Sequence, residues 1–229
     1  MLTIQNLHVQ YSSDTEILKG INLSMETGKT HGFVGLNGAG KTTLLNTLYA
    51  FLKPKEGIIT FQDRLLERRD IAYLEAENYF YTYMTGREYL GLFPAGTSDF
   101  SIESWQELFS LPLDEITENY STGMRKRLAL LAVLKLDKPI LILDEPFNGL
   151  DLEGTHLLSL ILDRLHERKK TIIVTSHIYE TLTGCCDYIH YLVNGLIDQT
   201  FTKPEFARLY ERLKTTIEKQ SLQKIEGLL

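Results

Sequence analysis

The sequence predicts an α/β fold: a mixed sheet with helices on its faces, an antiparallel β region at the N-terminus and a helical subdomain inserted between strands. Three observations predict it. Glycine clusters in Gly35-Leu36-Asn37-Gly38-Ala39-Gly40, between an apolar stretch at 30–34 and a leucine-rich one at 44–48. A continuous apolar run, Ile140-Leu141-Ile142-Leu143, reads as a strand buried on both faces and then meets two acids, Asp144-Glu145. Strand-like and helix-like stretches alternate around the glycine cluster, as they do in an α/β sheet.

In chain order, Leu2, Ile4, Leu7 and Val9, then Ile21, Leu23 and Met25, alternate with polar residues and predict antiparallel strands. Residues 30–34 form a short buried strand, the glycine cluster a loop, and 44–48 a helix. Residues 57–61 and 71–74 read as further strands. From 75 to 138 leucine, glutamate, arginine and aromatic residues recur at helical spacing, broken near Pro94 and Pro112, which predicts a mostly helical subdomain inside a core of 1–74 and 139–229. Strand character returns at 140–143, a helix follows over 152–170, a strand over 171–175, and Asn194-Gly195 marks a hairpin. From Lys203 the chain reads as a charged helix.

The glycine cluster has a chemistry. Gly35-x-x-x-x-Gly40-Lys41-Thr42 fits the phosphate-loop pattern. Between a strand and a helix start, backbone N–H groups converge and the helix dipole adds positive potential, which makes an anion cradle. Gly38 and Gly40 let the backbone close on phosphates, with Asn37, Ala39 and Thr43 beside them. Lys41 is then placed for the β- and γ-phosphates and Thr42 for Mg2+. The end of a central strand is where ligands bind in an open α/β sheet. Asp144 is the candidate to hold Mg2+, and Glu145 to orient and deprotonate an attacking water.

Composition bounds the rest. At 229 residues the chain can bury a full core, and its 43% apolar and 24% charged residues are ordinary for a globular protein. A net charge of −6 argues against a broad nucleic-acid surface, so no nucleic-acid partner is expected. The two cysteines, Cys185 and Cys186, are adjacent; neighbours pair only with strain, and free thiols suit a reducing cytosol. Neither a secretion signal nor a run of about 20 apolar residues is found, so the chain is expected to be soluble and to dock on something that spans a membrane.

With these motifs placed, the chain resembles the ATP-binding cassette ATPases, the nucleotide-binding subunits of ABC transporters, over essentially residues 2–200. Besides the glycine loop, Tyr120-Ser121-Thr122-Gly123-Met124 stands where that family has its signature, Gly149-Leu150-Asp151 matches its D-loop, and Val174-Thr175-Ser176-His177 its switch histidine. The resemblance implies a P-loop NTPase core with a signature-bearing helical subdomain, and ATP with Mg2+ as the ligands. It implies that Tyr11 stacks on adenine and that Gly35 belongs to the ATP-binding loop. Two subunits, identical or different, would meet head to tail, so that Ser121 and Gly123 touch the γ-phosphate bound by the other, while His177 contacts it in cis. A separate transmembrane permease is the expected partner, with the chain on the cytoplasmic face of the cell membrane. The signature variant is similar to those of single-domain cassettes working with export permeases.

One position departs from the family. Where its strand after the glycine loop usually ends in a metal-sensing glutamine, this chain has Ala76 between Glu75 and Glu77. Alanine can neither ligate a metal nor hydrogen-bond a water, so either a flanking glutamate substitutes or turnover is weakened. A soluble cassette acting on ribosomes or DNA, and a regulatory subunit with weak hydrolysis, are the alternatives. The dense aromatics Tyr79-Phe80-Tyr81 and Tyr83 read either as subdomain core or as a groove for a permease helix, with the groove favoured.

Overall fold

The structure, a computed structural model, describes residues 1–11 and 15–226. In order these form β1 (Leu2–Gln10), β2 (Glu16–Met25), β3 (Thr30–Val34), α1 (Lys41–Leu48), β4 (Glu56–Phe61), β5 (Arg64–Leu65) and β6 (Ile71–Leu74). Then come α2 (Gly86–Gly91), α3 (Ile102–Phe109), α4 (Thr122–Lys135), β7 (Ile140–Leu143), α5 (Leu152–Glu167) and β8 (Thr171–Thr175). The chain continues through α6 (Tyr179–Cys185), β9 (Tyr188–Val193), β10 (Leu196–Thr202) and α7 (Phe206–Glu226).

Two sheets result. An antiparallel sheet has the order β2-β1-β4-β5, and a six-stranded sheet has the order β10-β9-β3-β8-β7-β6. In the second sheet β9, β3, β8, β7 and β6 run parallel, and β10 closes the edge antiparallel to β9. The hairpin between β9 and β10 uses Asn194 and Gly195, both at positive φ, a turn whose twist suits the strands. Only glycine fits at 195, because a Cβ there would stand 1.9 Å from the Ile17 carbonyl oxygen.

The sheet divides the core by strand alternation. Ile140 and Ile142 of β7, Ile173 of β8 and Phe33 of β3 face one cluster with α1 and the antiparallel sheet. Leu141, Leu143, Ile172 and Val174 face the opposite cluster, shared with α4 and α5. Each such side chain contributes roughly 1.5–3 kcal/mol of burial. This double coverage is why the strands read as unbroken apolar runs. It also fixes the open end of β7, where the two acids emerge.

The stretch 75–138 is less helical than its spacing predicts. Residues 75–85 contain no helix; α2 starts only at a capping box between Thr85 and Glu88. Tyr83 sits at φ 59, outside helical geometry. The leucines that do recur lie in α4, whose residues 128–134 are all buried against the sheet and the neighbouring helices. The short α6 was not legible from periodicity. Cys185, which ends it, and Cys186, which follows it, keep Sγ atoms 3.8 Å apart, as free thiols.

Candidate active site

The glycine loop joins β3 to α1, and two of its glycines are required by shape. A Cβ on Gly35 would lie 2.4 Å from the Leu192 carbonyl oxygen of β9. Gly40 has φ 104, a conformation that side chains rarely adopt, and caps α1 with no side-chain hydrogen bond. The first-turn residues Lys41, Thr42 and Thr43 therefore present their backbone and side chains at the loop's concave side. Lys41 folds back over the loop, its Nζ donating to the Gly35 carbonyl at 2.7 Å. Burial pushes its pKa down, while the nearby Glu145 and Asp144 oppose that shift.

The carboxylates arrive from β7. Asp144 is almost wholly buried and accepts from two hydroxyls, Thr42 Oγ1 at 3.3 Å and Thr175 Oγ1 at 2.5 Å. Thr175 in turn accepts the Glu145 N–H at 2.9 Å. That bond supports a backbone at φ 48 in Glu145, a left-handed conformation that costs a non-glycine residue on the order of 1 kcal/mol. The Glu145 carboxylate receives the His177 N–H on Oε2 at 3.2 Å. Its other oxygen, Oε1, lies 3.2 Å from His177 Nε2 but lacks hydrogen-bond geometry and is otherwise unpartnered within the protein. A buried carboxylate oxygen left in this state is available to a water or substrate group.

A cavity of about 350 Å³ gathers these groups: Asn37, Gly38, Ala39, Gly40, Lys41, Thr42, Thr43, Asp144, Glu145 and His177 all line it, with Ile17 and Ala76. Gly35 stands behind the loop, where it accepts from Lys41. Tyr11 is half-exposed outside the lining, with its hydroxyl 3.3 Å from Thr43 Oγ1. Ser121 and Gly123 are also outside it, at the start of α4. Sequence reasoning missed Thr175 as a supporting residue, although a hydroxyl residue ending an otherwise apolar strand beside Ser176-His177 was a signal. Thr42 Oγ1 and Asp144 Oδ2 together make a hydroxyl-and-carboxylate oxygen pair, the donor chemistry Mg2+ prefers, so the residues present fit that ion.

The start of α4 is built differently. Ser121 caps it, its Oγ accepting from the Met124 N–H at 3.2 Å. A Cβ on Gly149 would lie 3.0 Å from Thr122 Cγ2, so the D-loop backbone packs close on this turn. Arg127 of α4 donates to both oxygens of Asp151, at 2.7 and 2.9 Å. Asp151 in turn caps α5 through the Gly154 N–H, and these bonds hold its carboxyl below the usual range, the Gly154 N–H most of all.

Ala76 lines the cavity, whereas neither Glu75 nor Glu77 does. Burial and the charge of Asp144 push the Glu75 carboxyl up. The flanking glutamates thus do not enter the cavity as substitutes for a glutamine.

A nucleotide-type phosphate loop facing an acidic strand end, with a separate capped helix start on the same chain, defines an ATP-binding cassette. The family model described as "ABC transporter" matches residues 18–148, and the chain belongs to this family. It is 36% identical over 193 residues to an uncharacterized ABC transporter ATP-binding protein of Nostoc sp., covering 78% of this chain but only 57% of that relative's length. It is 31% identical to the lantibiotic transport ATP-binding protein SrtF of Streptococcus pyogenes, covering 86% of this chain and 89% of the relative. Among solved structures, a dimeric ATP-binding cassette in a post-hydrolysis state bound to ADP and Pi superposes with a TM-score of 0.77 at 22% identity, covering 89% and 99% of the two chains.

Proposed function

We propose that this chain is the ATP-hydrolysing subunit of an ABC transporter. The observation that carries the reading is the single cavity in which Lys41, Thr42, Asp144, Glu145 and His177 meet. Gly38, Gly40 and the α1 N-terminus bind the phosphate chain of ATP, and Lys41 turns from the Gly35 carbonyl to the β- and γ-phosphates. Thr42 and Asp144 would hold Mg2+, which when bound offsets phosphate charge. Glu145, with one carboxylate oxygen unpartnered and the other fixed by the His177 N–H, orients the attacking water and takes its proton. His177, half-exposed at the cavity edge, faces the γ-phosphate, and the Tyr11 ring stacks on adenine.

Two subunits close around ATP, each offering Ser121 and Gly123 to the nucleotide held by the other. Their location outside this chain's own cavity, on an exposed turn, supports that role. Loss of the γ-phosphate removes the contacts that favour the closed pair, and the population shifts back to open. Among the described residues no helix is long and apolar enough to cross a membrane; a separate permease forms the path, and this chain works at its cytoplasmic face. Tyr79, Tyr81 and Tyr83, all exposed in the irregular segment that follows β6, are the surface for that partner, within a signature-bearing subdomain of residues 75–138. The signature variant Ser121-Thr122-Gly123-Met124, similar to those of cassettes working with export permeases, favours export.

Steady-state ATP turnover by the purified chain tests the reading. Glu145→Gln is expected to lower it by about 100-fold or more while ATP binding persists. A rate indifferent to Glu145 would sink it. Tagging that variant in native membranes and isolating it with ATP tests the permease: a multi-spanning protein in stoichiometric yield is expected.

A further inference from the structure

The segment that follows β6 reaches the catalytic cavity at Ala76, and it is held there by a lysine from another element. Lys126, in the second turn of α4, is buried, and its Nζ donates to two main-chain carbonyls, Ala76 at 3.2 Å and Glu75 at 3.3 Å. Among the described residues the ammonium has no carboxylate within ion-pair distance. Its charge is therefore retained in a buried place without a direct counter-ion, an arrangement that needs a reason. Burial lowers its pKa to about 8, and Asp144 and Glu145 are the charges that hold it up. The same ammonium thus feels the catalytic carboxylates and grips the backbone of the residue beside them.

We propose that Lys126 is a positioning residue for hydrolysis: through the Ala76 and Glu75 carbonyls it ties α4 to the catalytic cavity, the link that the alanine side chain at 76 cannot make. The inference rests on the ATPase reading above. Ala76 lines both the catalytic cavity and a neighbouring hollow of about 240 Å³ that Thr122, Lys126 and Asn148 also line. Movement of α4, which starts at Ser121, is transmitted along a rigid helix turn to Lys126, then to the Ala76 backbone. A nucleotide meeting Ser121 on one surface therefore changes the wall of the cavity on the other.

The fold supplies its own control. Lys135 lies on the same helix, is equally buried, and donates to a main-chain carbonyl, that of Leu90 at 2.8 Å, but Leu90, unlike Ala76, lines neither the catalytic cavity nor the hollow beside it. The experiment is steady-state ATPase kinetics with melting temperatures for Lys126→Met, Lys126→Arg, Lys135→Met, Ala76→Gln and the double variant Ala76→Gln/Lys126→Met. For Lys126→Met, kcat is expected to fall about tenfold or more with KM within about twofold, the size of a misplacement effect. Lys126→Arg should recover most of the loss. Lys135→Met should lower the melting temperature comparably while leaving kcat near the parent value. The glutamine in the double variant should restore kcat without restoring the melting temperature, since it replaces the link and not the buried lysine. Equal kcat losses at 126 and 135 that track stability would overturn the proposal, as would a double variant no faster than Lys126→Met. Where Lys126→Met fails to fold, Lys126→Gln, which keeps donors and loses charge, carries the same comparison. A wild-type rate that survives Glu145→Gln removes the ATPase reading itself; a Glu145-dependent rate indifferent to Lys126 removes only this inference.

Discussion

Two helix starts in this chain share a dipole and differ in everything around it. At α1 the cap is Gly40, with no side chain to satisfy the first-turn N–H groups, and Lys41 and Asp144 bring charges of both signs to the same cavity. At α4 the cap is Ser121, whose hydroxyl already accepts from Met124, and the turn is exposed. A start without a self-cap, walled by buried groups, can hold an anion by its own means. A start that caps itself can only assist an anion presented from outside. The difference teaches that the two glycine-bearing helix starts are not duplicates: on the proposed reading one binds the nucleotide and the other senses a nucleotide bound elsewhere.

The largest effect that could break this comparison comes from equal substitutions at the two turns. Gly40→Ala forces a methyl group onto φ 104 and to 2.8 Å from Leu18 Cδ2. Strain of about 1–3 kcal/mol at such a site corresponds to an ATP affinity lowered by roughly 5- to 150-fold, at 1.4 kcal/mol per decade. Gly123→Ala meets the Gly149 carbonyl oxygen at 3.2 Å and Ser121 Oγ at 3.9 Å, with no left-handed φ to relax. Titration calorimetry on the isolated chain should find its ATP affinity within about twofold of the parent, well below one decade. Equal losses at both positions would mean that α4 takes part in the chain's own nucleotide site.

A smaller effect sharpens the α4 side. Ser121→Ala removes a helix cap, worth about 1 kcal/mol, and should lower the melting temperature by roughly 2–4 °C. Nucleotide affinity of the single chain should not follow. Turnover, which needs the second subunit's turn, should fall by more than the stability loss accounts for. If turnover stays at the parent level while the melting temperature drops, Ser121 is a cap and nothing else.

How far the sequence reveals these features depends on how local their causes are. The phosphate loop was legible because glycine at 35 and 40 and lysine at 41 are each demanded within a few residues of backbone. The strand at 140–143 was legible because it is covered on both faces, so its apolar run is unbroken. Residues 75–85 misled, since aromatic and glutamate residues at near-helical spacing here serve an irregular segment held from outside by Lys126. Thr175 and Lys126 could not be assigned by spacing at all. Their partners, Asp144 and the Ala76 carbonyl, lie 31 and 50 residues away and meet them only through sheet order and the packing of α4. Tyr11 remained a matter of resemblance; the structure shows its hydroxyl beside Thr43, at the α1 start.

The smallest effect concerns what holds the α1 turn from below. His31 of β3, four residues before Gly35, stacks on His190 of β9 with its Nδ1 3.1 Å from His190 Nε2. With both rings neutral the tautomers are fixed. His31 Nε2 faces the Glu26 carbonyl at 2.9 Å and must donate, so its Nδ1 accepts from His190 Nε2–H. His190 Nδ1 then accepts from the Thr200 hydroxyl at 2.8 Å. This relay requires both rings neutral. Burial lowers the pKa of both, that of His190 to about 3, with the His31 ring adding to the burial effect. Because the unfolded chain takes up protons first, below its ordinary histidine value of 6.5, stability is full above that pH and drains as the pH falls toward 3. Between pH 7.5 and 6 the loss from His190 alone is on the order of 1 kcal/mol, in a window above the titration of carboxylates. Urea midpoints at constant ionic strength should fall across that window, and amide exchange in β3 should rise before exchange in α4. A flat midpoint would remove the relay as a support, and faster exchange in α4 than in β3 would place the weak point of the fold at the other helix start.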